Sequence, residues 1–273
     1  GAVIAAGARG LPGVEVTCLE KTGPDDHAHA GNGLNLGPNA LRALQSSLPE
    51  LATALHAAGL PWQRWQARLA DGTLIYRTPL DEVSDCPGVR IRWSELYRAV
   101  RDAAGPAVQY RRQPGEIRIG SDGTVMVQDS NAPAGENLSF DLLIAADGRY
   151  SAIRARFSGE PEPRHPGVSN FRALVDDQGA LDIDDMEQWF NGPRRLICFR
   201  LKDGLLYVSG NLPIEAGAPV PERYTQAGFL ATAYTDGVHN PDSRLLSLSE
   251  AIACQAEGLH WARAQEIDPL FHD

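Results

Sequence analysis

Several things that would tie a chain to a membrane, a metal or a nucleic acid are missing from this sequence. No apolar run approaches the roughly 20 residues that a membrane span needs, and no signal-peptide pattern is visible, so the expected partners include no membrane and the expected compartment is the cytoplasm. The four cysteines, Cys18, Cys86, Cys198 and Cys254, are scattered without paired spacing. They read as free thiols in a reducing compartment rather than a disulfide framework or a zinc site. A net charge of −10 argues against nucleic acid as a partner. There is no G-x-S-x-G elbow, no G-K-[ST] phosphate loop and no C-x-x-C pair, so the common hydrolase, nucleotide-triphosphatase and zinc readings lack their motifs.

What is present describes an ordinary soluble α/β protein with ample core: 273 residues, 43% hydrophobic and 22% charged. The most informative stretch is Asp141 to Arg154, DLLIAADGRYSAIR. Leu142 to Ala146 has the continuous apolar pattern of a strand buried on both faces. It ends at Asp147-Gly148, where glycine lets the backbone turn and approach a ligand. Ser151 has the chemistry of an N-cap for a helix over 152–157. Strand, glycine turn and capped helix together form a cup of backbone N–H groups suited to phosphate. Plain α/β connectivity has the same pattern.

Upstream, residues 1–9 read as an apolar helix and 14–20 as a strand. Glu20 lies 19 positions after Gly1, the spacing at which an acidic residue takes ribose hydroxyls in a dinucleotide-binding unit, if Gly1 is the last glycine of a G-x-G-x-x-G. A surface Glu ending any strand would look the same. Glycines 31, 33 and 37 allow close backbone approach, and Pro38 opens a helix through Leu44. Further elements are expected at 50–58 (helix), 65–69 and 73–77 (hairpin), 89–92 (strand), 94–104 (helix capped by Ser94), and 107–112, 116–120 and 124–129 (strands). A polar loop at 131–137 precedes a strand at 139–146. After Pro161, Pro163 and Pro166 an antiparallel sheet is expected at 169–175, 186–190, 195–201 and 205–212, then helices at 221–235 and 247–256 and a strand at 259–267.

Few side chains suggest chemistry by themselves. His27 and His29 beside Asp25-Asp26 could recruit a metal, but a solvated loop is the preferred reading and no metal is expected. Asp182, Asp184 and Asp185 read as a solvated turn rather than a pair of catalytic acids. Arg92, ahead of a helix, could hold a phosphate or a flavin edge; a surface strand residue is the alternative. Phe171, Trp189 and their neighbours could line an aromatic pocket, and core packing is the plainer account.

Taken in order, these pieces resemble the single-component, FAD-dependent aromatic hydroxylases typified by p-hydroxybenzoate and salicylate hydroxylase. Gly1 with VTCLEK, ending at Lys21, is similar to that family's first crossover helix and second strand. GNGLNLGPNALRAL (31–44) resembles its flavin-side segment, and IRWSELYRAV (91–100) its R-x-x-L stretch. DLLIAADGRYSAIR matches its Asp-Gly fingerprint. The resemblance implies an α/β fold: a Rossmann-like FAD-binding domain with parallel sheet, helices and a β-meander, plus a smaller antiparallel substrate domain. Its implied bounds are 1–160, 161–262, and a return segment at 263–273.

The resemblance also implies a function. NAD(P)H reduces FAD, and O2 then hydroxylates a phenolic or heteroaromatic substrate by way of a flavin hydroperoxide. Gly1, Glu20, Lys21, Gly33, Arg92, Asp147, Gly148 and Arg154 would hold the cofactor, and Phe171, Trp189 and Tyr207 would face the substrate. No residue is singled out as catalytic, and a homodimer is compatible with the pattern. A halogenase, reductase or epoxidase of the same fold is the alternative enzyme; a non-catalytic module is the other. The family's leading glycines would lie before Gly1 and its Gly-Asp-Ala-Ala-His segment after Asp273, and His27-Ala-His29 stands where the family often has Arg. The expectation from these departures is a fragment clipped at both ends with weak FAD retention.

Overall fold

The computed structural model describes residues 1–26, 32–129 and 137–267. His27, His29, Gly31, most of the 131–137 loop and the final six residues lie outside the described residues.

The largest unit is a seven-stranded sheet. Its strands run in the order His260–Arg263, Val168–Asp176, Leu205–Pro213, Arg194–Arg200, Met186–Asn191, Arg64–Leu69 and Leu74–Pro79. All neighbours are antiparallel except Met186–Asn191 with Arg64–Leu69, which are parallel. The sheet therefore draws strands from both sides of residue 160, because the 64–79 hairpin folds onto its edge. A boundary drawn once along the sequence cannot follow it.

Period-2 alternation sorts side chains between the two faces of a strand. On one face Phe171, Val175, Trp189, Leu196, Leu206, Val208 and Leu212 are almost fully buried with Leu230, Tyr234, Leu245, Leu248 and Ile252 from the helical segments that cover it. The helix expected at 221–235 is broken into a short turn, Glu222–Thr225, and Ala227–Leu230; the next one, Ser243–Ala253, begins earlier than expected. Asp242 caps it by accepting from Arg244 N at 2.9 Å. The same residue's Oδ2 accepts from the Trp189 indole at 3.0 Å, which ties the cap to the sheet.

Smaller sheets form the rest. Cys18–Glu20 pairs in parallel with Val108–Tyr110. Gly33–Leu36, Gly88–Arg92 and Leu60–Trp62 form an antiparallel trio covered by the helices Pro38–Ser47, Pro49–Ala58 and Trp93–Ala104. Pro114–Ile119, Val125–Asp129 and Asn137–Phe140 form a meander.

Three expectations need correction. The apolar run 142–146 forms no strand; Leu142 is 73% and Ile144 50% exposed. A strand needs a partner for its N–H and C=O groups, and among the described residues none pairs with this run. Ser94 is not an N-cap: the helix starts at Trp93, and Arg92 holds the cap position without a side-chain bond. Asp185 is not a solvated acid. It is buried, accepts from Gln63 N at 2.9 Å, Arg64 N at 2.8 Å and Met186 N at 2.8 Å, and lies 3.4 Å from Arg90. With Arg90 also bonded to Pro61 O (2.9 Å) and to Asp184 O, this acid pins the small trio to the large sheet.

Candidate cofactor and substrate site

The expected cofactor residues fall into two neighbouring groups. Gly1 precedes the helix Ala2–Ala8 at one end of the two-stranded sheet. A Cβ added there would lie 3.1 Å from Cys18 Sγ and 3.8 Å from the Ala146 Cβ, so Gly1, Glu20's strand and the Asp147-Gly148 turn converge. Gly33 and Arg92 are ladder partners, and Trp93 N donates to Asn32 O at 2.8 Å. The helix Trp93–Ala104 joins the two groups, because it begins beside Arg92 and carries Arg101 to Glu20.

Glu20 is held by its surroundings rather than projected freely. Its Oε1 accepts from Thr22 N at 2.9 Å and Thr22 Oγ1 at 2.8 Å, and its Oε2 lies 3.4 Å from Arg101 Nη2. Burial pushes its carboxyl up, but the Thr22 hydrogen bonds and the Arg101 charge outweigh it and hold the group below its ordinary value. Arg101, only 5% exposed, also donates to Pro24 O at 3.2 Å and lies over the Tyr97 and Tyr110 rings at 4.9 and 5.4 Å. No sequence motif advertised Arg101; the only signal was a basic residue on the buried stripe of an amphipathic helix. Lys21 is exposed beside Glu20.

Asp147 works locally. One carboxylate oxygen accepts from Ser151 Oγ and the other from Ile153 N at 3.2 Å, while Ser151 Oγ accepts from Arg154 N at 2.9 Å. Burial raises the Asp147 carboxyl, and these donors overcome that and lower it. Gly148 has φ +85 with nothing within 4 Å of an added Cβ, so its backbone is left open. Arg154 Nη2 donates to Arg149 O at 2.7 Å, which closes the turn back on itself.

A cleft of about 580 Å3 is lined by Asp147, Gly148 and Arg154 but otherwise mainly by Ile117, Ile119, Leu142 and Phe157. It contains neither Gly1, Glu20, Gly33 nor Arg92. A second cleft of about 240 Å3 is lined by Arg92, Glu95, Arg90 and Lys202. The polar convergence, not the larger apolar groove, is the better candidate for a cofactor, because a charged ligand is fixed by placed donors.

The expected substrate residues are divided by the sheet. Phe171 and Trp189 belong to the helix-covered core, at 0 and 1% exposure, where helical segments close over them. Tyr207 is on the opposite face with Phe199 and Met186. That face meets the cofactor side directly: a Cβ on Gly33 would sit 2.7 Å from Tyr207 Cγ and 2.9 Å from Phe199, and Asn35 Nδ2 contacts Met186 Sδ at 2.9 Å. Gly33 is thus required by a close approach between the small trio and the large sheet.

Among the described residues no group of three or more metal-ligating side chains occurs, and no helix is long and apolar enough to cross a membrane.

This architecture, a cofactor-side α/β portion abutting the open face of a large mainly antiparallel sheet, is the fold of the FAD-dependent monooxygenases. It superposes on the crystal structure of Klebsiella pneumoniae HpxO complexed with FAD and uric acid with a TM-score of 0.79, covering 99% of this chain and 66% of that one at 21% identity. In sequence the chain is similar to several FAD-dependent hydroxylases and monooxygenases. It is 28% identical over 221 residues to aurachin C monooxygenase/isomerase of Stigmatella aurantiaca, and 33% identical over 136 residues to the FAD-dependent urate hydroxylase of Klebsiella pneumoniae. Those matches cover 78% and 48% of this chain, and 50% and 33% of the relatives' own lengths. No protein-family profile matches the chain.

Proposed function

We propose that the protein to which this chain belongs is an FAD-dependent monooxygenase that hydroxylates a small aromatic or heteroaromatic substrate with NAD(P)H and O2. The observation that carries this reading is the pair of groups, Gly1 and Glu20 with the Asp147-Gly148 turn and Gly33 with Arg92, joined by the Trp93–Ala104 helix on a fold otherwise found with FAD.

The residues fit such a cofactor. Arg92 Nε is buried and has no hydrogen-bond partner among the described residues, which is costly unless an acceptor is supplied. Gly148 leaves bare backbone at the Asp147 turn, and Glu20 has Oε2 facing Arg101 with lone pairs that can accept from hydroxyl donors. Arg92 and the open backbone would hold phosphate and flavin edges, and Glu20 a ribose. FAD, when bound, supplies hydride acceptance and activation of O2. The chain's own work is binding, orientation and exclusion of water. Arg101 positions Glu20, Asp147 fixes the turn that carries Gly148, and the open face beside Tyr207 places the ring next to the cofactor side. No triad or metal is called for in such a division of labour.

Fluorescence titration of FAD against the chain tests this reading. Saturable quenching is expected, and Arg92→Ala should weaken it by at least about tenfold while leaving the unfolding midpoint near that of the parent. Asp147→Ala is the poorer probe because it also uncaps Ala152–Ser158. Unchanged FAD affinity in Arg92→Ala would remove Arg92 from the site; no saturable binding at all would overturn the cofactor assignment for this chain.

A further inference from the structure

Two arginines on the strand Gly88–Arg92 point the same way and are treated in opposite fashion. Val89 and Ile91 belong to the core under the helices, with Leu34 and Leu36 of the neighbouring strand packed against it. Period-2 alternation therefore turns Arg90 and Arg92, with their ladder partners Asn35 and Gly33, to the other face. That face is laid on the large sheet: Asn35 reaches Met186, and Gly33 abuts Tyr207 and Phe199.

Arg92 Nε has no hydrogen-bond partner among the described residues, whereas Arg90 is engaged on both edges of its guanidinium. Arg90 Nε donates to Pro61 O at 2.9 Å, within the small trio, and lies 3.4 Å from Asp185 Oδ1. Its Nη1 donates to Asp184 O, and its Nη2 lies 3.8 Å from Asp184 Oδ1, so the other edge is spent across the joint. Asp185 is anchored in turn by the N–H groups of Gln63, Arg64 and Met186. A planar fork held at several points fixes distance as well as direction, which a single ammonium does not. Arg92 follows roughly 7 Å further along a strand laddered on both sides, so a shift of Arg90 carries Arg92 and Gly33 with it. The joint has little slack, because a Cβ on Gly33 would lie 2.7 Å from Tyr207 Cγ and packed interiors respond to even one methylene.

We propose that Arg90 and Asp185 are positioning residues. The pair sets the gap between the Gly33–Arg92 face and the Tyr207 face of the large sheet, and thereby holds the unpaired Arg92 Nε–H at the cofactor site. Both act through Arg92 and Gly33. The cofactor half of this inference rests on the FAD reading above; the spacing half stands on this chain's residues alone. A buried ion pair is weak evidence for stability and is often replaceable by apolar groups at little cost, so a positioning role accounts for a pair that stability alone does not require.

Two double-mutant cycles on the whole chain test it. The first uses urea denaturation and needs no ligand. Gly33→Ala drives a methyl group into Tyr207 and should lower the unfolding midpoint clearly in the parent. In an Arg90→Met background, where the joint can widen, the same substitution should lower the midpoint by less than about half as much. The second cycle reads FAD affinity by fluorescence on folded protein, well below the midpoint. Arg90→Met should weaken FAD binding at least about fivefold, and in an Arg92→Ala background it should weaken binding no further. Arg90→Lys keeps the charge but loses the fork; it should fall between parent and Arg90→Met, and replaces Arg90→Met in both cycles if that variant does not fold. Arg244→Met breaks the pair with Glu187 on the covered face and should leave FAD affinity unchanged. Additive midpoint losses, additive weakening of FAD binding, or an equal loss of affinity in Arg244→Met would each overturn the proposal. Coupled midpoints without FAD binding in any variant would keep the spacing role and remove the cofactor reading, while FAD binding with additive cycles would do the reverse.

Discussion

The two faces of the large sheet show how one set of strands can serve opposite purposes. On the covered face, most in-phase positions are apolar or paired. Trp189 has its indole bonded to Asp242, and Glu187, 3% exposed, lies between Arg244 at 2.9 Å and Arg68 at 3.6 Å. On the open face, Arg172 and Arg195 have no acidic partner among the described residues, and the packing is shared with the small trio through Gly33. The covered face is built for stability, and the open face leaves its polar groups to be satisfied by something else. A similar contrast separates the large sheet from the cofactor side, where Leu142, Ile144 and Phe157 remain half or more exposed.

The sharpest way to break this comparison is to truncate a large apolar side chain in each of the two regions. Trp189→Ala should cost about 3–5 kcal/mol, because it empties a closed site and removes the indole N–H bonded to Asp242. Leu142→Ser should change stability by no more than about 0.5 kcal/mol, because Leu142 is already in water. Urea denaturation of both variants measures the difference. Comparable losses would mean that the 142–146 run is packed after all.

Next in size is the buried charge cluster. Glu187→Ala leaves two guanidinium groups facing each other at the edge of the core, and should cost about 3 kcal/mol. Replacing Arg172 on the open face should cost almost nothing, because no protein group depends on it. If Glu187→Ala were as mild as Arg172→Gln, the partition of the faces into structural and unpaired charge would fail.

Much of the fold was legible because period is a local property. Strands at 169–175, 186–190, 195–201 and 205–212 were placed within a residue or two, since apolar alternation and turn glycines such as Gly204 are written in the chain. What the pattern could not give was pairing. The 65–77 hairpin looked as though it belonged to the first domain, but its neighbour in space is Met186–Asn191. Leu142–Ala146 has the composition of a buried strand, and composition cannot reveal whether a partner edge is available. For the candidate site, Glu20, Gly33 and Arg92 were suggested by spacing and resemblance. Arg101 and Arg90–Asp185 were missed, because each depends on which residues meet across more than 20 positions. For Phe171, the alternation itself held the answer: a residue in phase with Val175 and Ala173 faces the core, and Arg172 beside it does not.

The smallest predicted effect concerns the joint between the cofactor groups. Glu20→Gln removes the charge that Arg101 faces while Thr22 can still bond the amide oxygen, so the cost at neutral pH should be about 1 kcal/mol. The sign with pH follows from the direction of the shift. The folded carboxyl lies below its ordinary value of 4.5, so its contribution is fully present above about that pH and is lost as pH falls through the folded value. The gap between parent and Glu20→Gln in urea denaturation should therefore be constant from pH 7 to about 5 and shrink as pH falls below the ordinary value of 4.5. A gap that persists unchanged into acid would show that Glu20 acts through shape alone, and that Arg101 is anchored by Thr22, Pro24 and the two tyrosine rings without it.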